Sequence, residues 1–283
     1  VKTALQLIMG LPMAGKTTFL AALWHVVDQP EVPTSLVLHE MPPQREYLNQ
    51  IRDEWIKCRP VARTALSSQR TVNMVLTDRT TGNTAELLFP DLSGELFASQ
   101  IADRRWSDDF DRLVQQAAGV LLFLNPASVV EPQAIEDVAA LAEALGAPTE
   151  TVSSAIEPWQ HSHVPTQVQL VELLQFLRWR RRTDRMRVGL VVSAWDLIGA
   201  GVSPQDWIRQ RLPLLHQFLE CNSDWLTTAT YGISAQGGTY SADTVQALLN
   251  GNPRPSKRIV VAGPHCDPHD ITAPIKWLLE SGE

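Results

Sequence analysis

The chain has 283 residues, 24 Lys and Arg against 31 Asp and Glu, a net charge of −7 and 44% hydrophobic residues. That length and apolar content suffice to bury the core of one large α/β domain and exclude global disorder. The acidic balance argues against nonspecific binding to a nucleic-acid backbone, which needs a basic surface, so no nucleic-acid partner is expected.

The three cysteines, Cys58, Cys221 and Cys266, are scattered and form no Cys-x-x-Cys pair. They make no disulfide framework, and a reducing compartment, the cytoplasm, is expected. The longest apolar run, Val120 to Leu124, is far too short to span a bilayer, so no membrane partner is expected. No signal peptide is visible, and the first residues already read as a strand, which points to a chain cut short at its N-terminus.

In chain order, Ala4 to Met9 is a buried strand ended by Gly10, and Thr17 to Val27 carries apolar residues at helical spacing. Residues 28 to 45 carry four prolines and no clear period, and read as a loop or extended segment. Arg45 to Cys58 is an amphipathic helix. Thr71 to Thr77 alternates and is rich in β-branched residues; Thr80 to Asn83 is a turn, and Thr84 to Phe89 is the returning strand of a hairpin. Asp111 to Ala118 ends a helix, followed by the buried strand Gly119 to Leu124. Pro126 to Thr166 reads as an insertion with a helix near Gln133 to Leu145. A helix over Val168 to Arg181, a strand over Val188 to Ser193, one helix over Pro204 to Cys221, a strand over Thr227 to Ile233 and a closing helix over Ile271 to Leu279 complete the chain. Strands alternating with helices predict an α/β fold of three layers: a mainly parallel sheet with an antiparallel edge strand and helices on both faces. The expected organisation is a single domain over 1–283, with an insertion at about 126–167 and an extended first loop at about 28–70.

Gly10-Leu-Pro-Met-Ala-Gly15-Lys16-Thr17 matches Gly-x-x-x-x-Gly-Lys-Ser/Thr in full. The glycines let the backbone curl so that successive N–H groups converge on phosphate oxygens, and the helix that follows adds the positive end of its dipole. The phosphate-binding set is therefore Gly10, Met13, Ala14, Gly15, Lys16, Thr17 and Thr18. Lys16 would reach the β- and γ-phosphates, and Thr17 would bind Mg²⁺. Asp91-Leu92-Ser93-Gly94 follows the second hairpin strand. An aspartate there can hold Mg²⁺ through water, and Gly94 can offer its N–H to a γ-phosphate.

Together these motifs resemble the Ras-like and translation-factor-related P-loop GTPases (the TRAFAC class). The resemblance implies bound GTP or GDP with Mg²⁺. The family's guanine-reading Asn-Lys-x-Asp appears as Ser193-Ala194-Trp195-Asp196, which keeps the aspartate for guanine N1 and N2 but loses the Asn and Lys; stacking and loop bracing must come from elsewhere, Trp195 being one source. The family's last motif appears as Ser234-Ala235-Gln236, whose backbone would meet guanine O6. More specifically, GLPMAGKTTFLAALW, FPDLSGE and VVSAWD are similar to the double-GTPases of bacterial conflict and defence gene clusters. That similarity implies a molecular switch acting on a protein partner.

Hydrolysis needs a residue that orients water, and at the position where the family has glutamine this chain has Glu95. It either positions water or forms a salt bridge that holds the loop, since its charge repels a γ-phosphate unless a cation intervenes. Turnover without a partner is expected to be slow. The first-switch threonine for Mg²⁺ and the γ-phosphate is assigned to Thr64, with Thr71 as runner-up, and Arg59 or Arg63 could act as an arginine finger. The competing readings are an ATPase, because Ser-Ala-Trp-Asp is degenerate, and a non-catalytic nucleotide-binding scaffold.

Other features read as structural. The basic cluster Arg178, Arg180, Arg181, Arg182, Arg185 and Arg187 suits a helix C-terminus, whose dipole cations offset, the alternative being a docking patch for an acidic partner. His265, Cys266, Asp267, His269 and Asp270 read as a loop ahead of the last helix, and His161 and His163 as surface. Trp24, Trp179, Trp207 and Trp277 are expected in or at the edge of the core.

Overall fold

The computed structural model describes residues 3–61, 71–90, 103–132, 163–181, 185–199, 201–251 and 254–280. Its strands are β1 (Thr3–Gly10), β2 (Leu36–Leu38), β3 (Val72–Asp78), β4 (Thr84–Phe89), β5 (Gly119–Leu124), β6 (Met186–Ser193), β7 (Leu226–Ser234) and β8 (Val260–Ala262). They form one sheet in the order β2-β3-β4-β1-β5-β6-β7-β8. The strands from β4 to β7 pair in parallel. β3 runs against both β4 and β2, and β8 runs against β7. The helices are α1 (Lys16–Asp28), α2 (Arg45–Ile56), α3 (Asp108–Gln116), α4 (Thr166–Arg180), α5 (Pro204–Arg211), α6 (Pro213–Cys221), α7 (Ala242–Gly251) and α8 (Ala273–Leu279).

Side-chain alternation along the central strands explains the three layers. On β5, Leu121 and Phe123 enter one hydrophobic cluster, which holds α1, α2 and α8. Val120, Leu122 and Leu124 enter the other, which holds α3 to α6. Because successive side chains point to opposite faces, a strand apolar at every position can be buried only between two layers of helix. α1 is enclosed nearly all round, with Phe19 through Val26 buried. It lies between the sheet and α2, whose Leu48, Ile51 and Trp55 complete its packing. Among the described residues no helix is long and apolar enough to cross a membrane.

The hairpin lies where its pattern puts it, with Val72 opposite Phe89 and Thr77 opposite Thr84. Its turn is held by Asp78, whose carboxylate accepts from Thr80 N at 2.7 Å and Thr81 Oγ1 at 2.9 Å. Burial alone would raise the Asp78 carboxyl, but the hydrogen bonds from Thr80 and Thr81 outweigh it and hold the group below its ordinary range.

Within the stretch 28–45, Leu36–Leu38 is extended and adds β2 outside β3. What holds it is remote in sequence. Ser35 N donates to Asp270 Oδ2 at 2.9 Å, and Leu36 N donates to Thr272 Oγ1 at 3.1 Å. The single helix over 204–221 is two helices, because Pro213 lacks the N–H that would continue α5 and instead starts α6. Between β7 and α8 the chain also forms α7 and the edge strand β8, neither of which the sequence pattern had suggested. Most of the expected insertion, 133–162, lies outside the described residues.

Trp24 and Trp207 are buried and Trp277 is half-buried. Trp179 is 64% exposed, contrary to expectation. Its position on α4 lies beyond Leu177, the last buried residue of that helix. The basic run disperses among separate partners. Arg180 pairs with Asp111, Arg178 covers the Trp225 ring at 5.0 Å, and Arg187 covers Trp277 at 4.1 Å. Asp270 is buried as a cap for Ser35 and Thr272, and His269 Nδ1 bonds Ile259 O at 2.7 Å.

Candidate functional site

The C-terminal ends of the parallel strands β1, β5, β6 and β7 lie side by side, the edge at which open α/β sheets bind ligands. β1 delivers the loop Gly10–Gly15, and α1 starts at Lys16. Gly10 has φ +156°, and a Cβ there would lie 2.4 Å from Phe123 O. Gly15 caps α1 at φ +83°, and a Cβ there would meet the Ser193 side chain at 3.1 Å. The loop thus lies directly on β5 and β6, which explains why glycine is needed at both ends. Met13, also left-handed at φ 59°, carries its side chain outward at 65% exposure. The Lys16 ammonium folds back over the loop and donates to Gly10 O at 2.7 Å and Leu11 O at 3.1 Å. Thr17 and Thr18, both half-buried, occupy the first turn of α1. Loop N–H groups, a helix N-terminus and an ammonium group on one concave turn make an anion site.

Two strands along, β6 ends at Ser193, whose Oγ donates to Leu124 O at 3.1 Å. Ala194 takes a left-handed conformation, φ 47°, and turns the chain into a short 3-10 turn over Trp195–Leu197. The Trp195 indole packs against β7: a Cβ on Gly232 would come within 2.2 Å of it. The ring therefore braces this loop against the sheet. Asp196 is exposed, and its carboxylate accepts a hydrogen bond from Ser234 Oγ at the end of β7. Ser234 Oγ also accepts from Gly237 N at 3.1 Å. The sequence-predicted residues Asp196, Ser234 and Ala235 are thus brought together at the same sheet edge as Gly10 to Thr18.

Three contributors escaped the sequence reading. Asn125, just past β5, donates Nδ2 to Met13 O at 3.1 Å and tethers the phosphate loop; an Asn-Pro step directly after a buried strand was the available signal. Tyr240, 43% exposed, lies near Thr18, and partial burial of its phenol pushes it above the ordinary value. Trp55 reaches the Ser234–Gln236 loop from α2. These last two left no local signal. Near Trp55, His25 Nε2 lies 3.4 Å from Glu31 Oε2. Burial holds His25 below its ordinary value despite the opposing pull of Glu31. Burial would raise Glu31, but hydrogen bonds from Ser256 and His25 hold it low.

Thr64, Arg63, Asp91, Gly94 and Glu95 lie outside the described residues. Thr71, the runner-up first-switch threonine, is exposed at the start of β3, and its carbonyl accepts from Gln44 Nε2. Arg59 is exposed. β4 ends beside β1, with Leu88 opposite Leu7, so Asp91 follows from a strand that flanks the phosphate loop.

A glycine loop at the end of β1, a lysine at the start of α1 and a carboxylate two strands away lie at one edge of the sheet, the arrangement expected of a P-loop GTPase. The sequence model of the Double-GTPase 1 family matches residues 7–278, and the chain belongs to that family. No curated protein matches the chain. Three solved structures among those similar to it are the signal recognition particle receptor SRb-GTP/SRX complex from Chaetomium thermophilum, the bacterial selenocysteine-specific elongation factor EF-Sec, and an Aquifex aeolicus Era variant bound to GDP and aluminium fluoride. The first is 14% identical with a TM-score of 0.41, over 86% of this chain and 96% of the other. The second is 13% identical with a TM-score of 0.38, over 88% of this chain and 28% of the other. The third is 15% identical with a TM-score of 0.35, over 90% of this chain and 58% of the other.

Proposed function

We propose that the protein is a Mg²⁺-dependent GTP switch that hydrolyses GTP and acts on a protein partner in a bacterial conflict or defence system. The observation that carries the nucleotide site is the placement of Lys16 over its own loop, with Asp196, Ser234 and Ala235 at the ends of neighbouring parallel strands. β1 and β6 stand two strand spacings apart, about 10 Å, which suits a nucleotide laid with its phosphates on α1 and its base on the Asp196 loop. The N–H groups from Met13 to Thr18 would bind phosphate oxygens, and Lys16 would neutralise the β- and γ-phosphates. Asp196 would accept from guanine N1 and N2, and the backbone of Ser234-Ala235-Gln236 would meet O6.

Thr17 suits Mg²⁺: its half-buried hydroxyl is a hard oxygen donor on the first turn of α1, next to Lys16. Asp91 through water and Thr64 would supply the remaining protein oxygens. The ion would offset charge between the β- and γ-phosphates. Glu95 would orient the attacking water or brace its loop, and its charge makes unassisted turnover slow. The role in conflict or defence is supported by the resemblance of the phosphate-loop, Asp-x-x-Gly and Ser-Ala-Trp-Asp segments to that family.

Hydrogen exchange in the GTP- and GDP-bound states tests the switch. The residues around Thr64 and those from Ser93 to Trp106 should gain protection with GTP, since only a γ-phosphate can anchor Thr64 and Gly94 together. Identical protection with intact GTP would favour a non-catalytic scaffold, and single-turnover hydrolysis would then decide between the two.

A further inference from the structure

The loop after β7 is held by a side chain that belongs to none of the nucleotide motifs. Trp55, fully buried on α2, donates its indole N–H to Ala235 O at 3.0 Å, across 180 residues of sequence. The Arg258 guanidinium covers the same indole at 4.7 Å from the ring centroid. It also donates to Trp55 O at 3.1 Å, Ile56 O at 3.2 Å and Cys58 Sγ at 2.6 Å, so it caps the C-terminal end of α2. Gly237 rests on the backbone of Arg258: its φ is +86°, and a Cβ there would lie 2.5 Å from Arg258 O. The loop is therefore clamped from α2 at Ala235 and from Arg258 at Gly237.

The consequence follows from peptide geometry. Ala235 C=O and Gln236 N–H belong to one planar trans peptide, so they point in opposite directions. Holding the carbonyl on a buried indole turns the Gln236 N–H away from α2 and away from the core. We propose that Trp55 is a positioning residue for base recognition: its indole N–H, buttressed by Arg258, sets the Ala235–Gln236 peptide so that the Gln236 N–H faces the base. This rests on the nucleotide-site reading above and adds its base-side determinant. It also joins that determinant to α2, whose chain runs through Cys58 to the first-switch stretch.

Trp55→Phe tests it, because phenylalanine keeps an aromatic ring beneath Arg258 and removes the N–H donor, at the cost of the smaller ring's volume. The readouts are calorimetric affinities for GDP, for pyrophosphate and for the diphosphate of 2-aminopurine riboside, which lacks O6. GDP should bind about fivefold more weakly, the usual loss for one hydrogen bond. Pyrophosphate affinity should be unchanged, and the preference for GDP over the 2-aminopurine analogue should shrink by the same factor. GDP affinity within twofold of the parent, or a parallel loss for pyrophosphate, would overturn the proposal. If Trp55→Phe does not fold, Gly237→Ala decides, since it pushes the loop off Arg258 from outside the core and should give the same base-selective loss. Lys16→Ala serves as the control. If Lys16→Ala binds GDP like the parent, the nucleotide-site reading itself fails. If Lys16→Ala abolishes binding while Trp55→Phe is neutral, only the positioning role fails.

Discussion

At the phosphate end of the site, one continuous run from Gly10 to Thr17 supplies the loop, the ammonium and the hydroxyl. At the base end, Trp55, Asp196, Ser234 and Arg258 meet from four separate parts of the chain. The first arrangement is a local backbone conformation. It needs only two glycines with left-handed φ and a helix that starts on time. The second depends on the sheet bringing β6 and β7 into register and on the end of α2 reaching the loop after β7. A local device tolerates change elsewhere in the fold, whereas an assembled one transmits it. Perturbations remote from the ligand should therefore alter base affinity while leaving phosphate affinity alone.

The largest effect should come from Lys16→Ala, which removes a charge facing the phosphates. Nucleotide affinity should fall on the order of a hundredfold or more, as expected when one partner of a desolvated charge pair is truncated. Titration with a fluorescent GTP analogue measures it, and equal affinity in parent and mutant would remove this loop from the site.

Asp196→Asn comes next. Replacing an acceptor oxygen by an amide donor opposite guanine N1–H should weaken GTP by roughly 1–3 kcal/mol. It should also shift preference toward xanthosine triphosphate. Competition among GTP, ATP and xanthosine triphosphate reads this directly; an unchanged order of preference would take Asp196 out of base recognition.

Gly232→Ala sharpens the contrast further, because the new methyl would collide with the Trp195 indole that braces the Asp196 loop. Overpacking of this kind costs about 1–3 kcal/mol. Urea unfolding should show that loss, and GDP affinity should fall while pyrophosphate affinity holds. If both ligands bind as in the parent, the Trp195 brace is irrelevant to the base.

The smallest effect concerns pH. His25 is held below its ordinary value by burial, so in acid the unfolded chain takes a proton that the folded chain refuses. Its contribution to stability is full above about 6.5 and declines as pH falls. Glu31, whose carboxyl is also depressed, acts in the same sense at lower pH. Thermal unfolding should therefore move to lower temperature between pH 7.5 and 5.5, and His25→Gln should flatten that slope. An equal slope in the mutant would place the acid sensitivity elsewhere.

Much of the fold was legible in sequence because its signals are local. The buried runs Leu5–Met9 and Gly119–Leu124, the alternating hairpin strands and its Thr-Thr-Gly-Asn turn each carry their structure within a few residues. What stayed hidden depends on distant partners. β2 is short and has no period of its own, and it exists because Asp270 and Thr272 satisfy the N–H groups of Ser35 and Leu36. The break at Pro213 was visible but was outweighed by the apolar spacing on either side of it. Trp179 was placed in the core by residue type, yet it projects from the end of α4 into solvent.

By itself, the sequence determined the sheet-and-helix alternation and the place of the glycine loop after β1 and of the proposed base-reading carboxylate after β6, because each is encoded in contiguous residues. Only the tertiary structure decided what steadies the proposed base end: Trp55 on the Ala235 carbonyl, Arg258 over Trp55 and Trp195 on Gly232. The physical reason is that a buried hydrogen bond or ring contact between residues far apart in sequence leaves no periodicity in either segment. It exists only once packing has removed both groups from water and left each the other's partner.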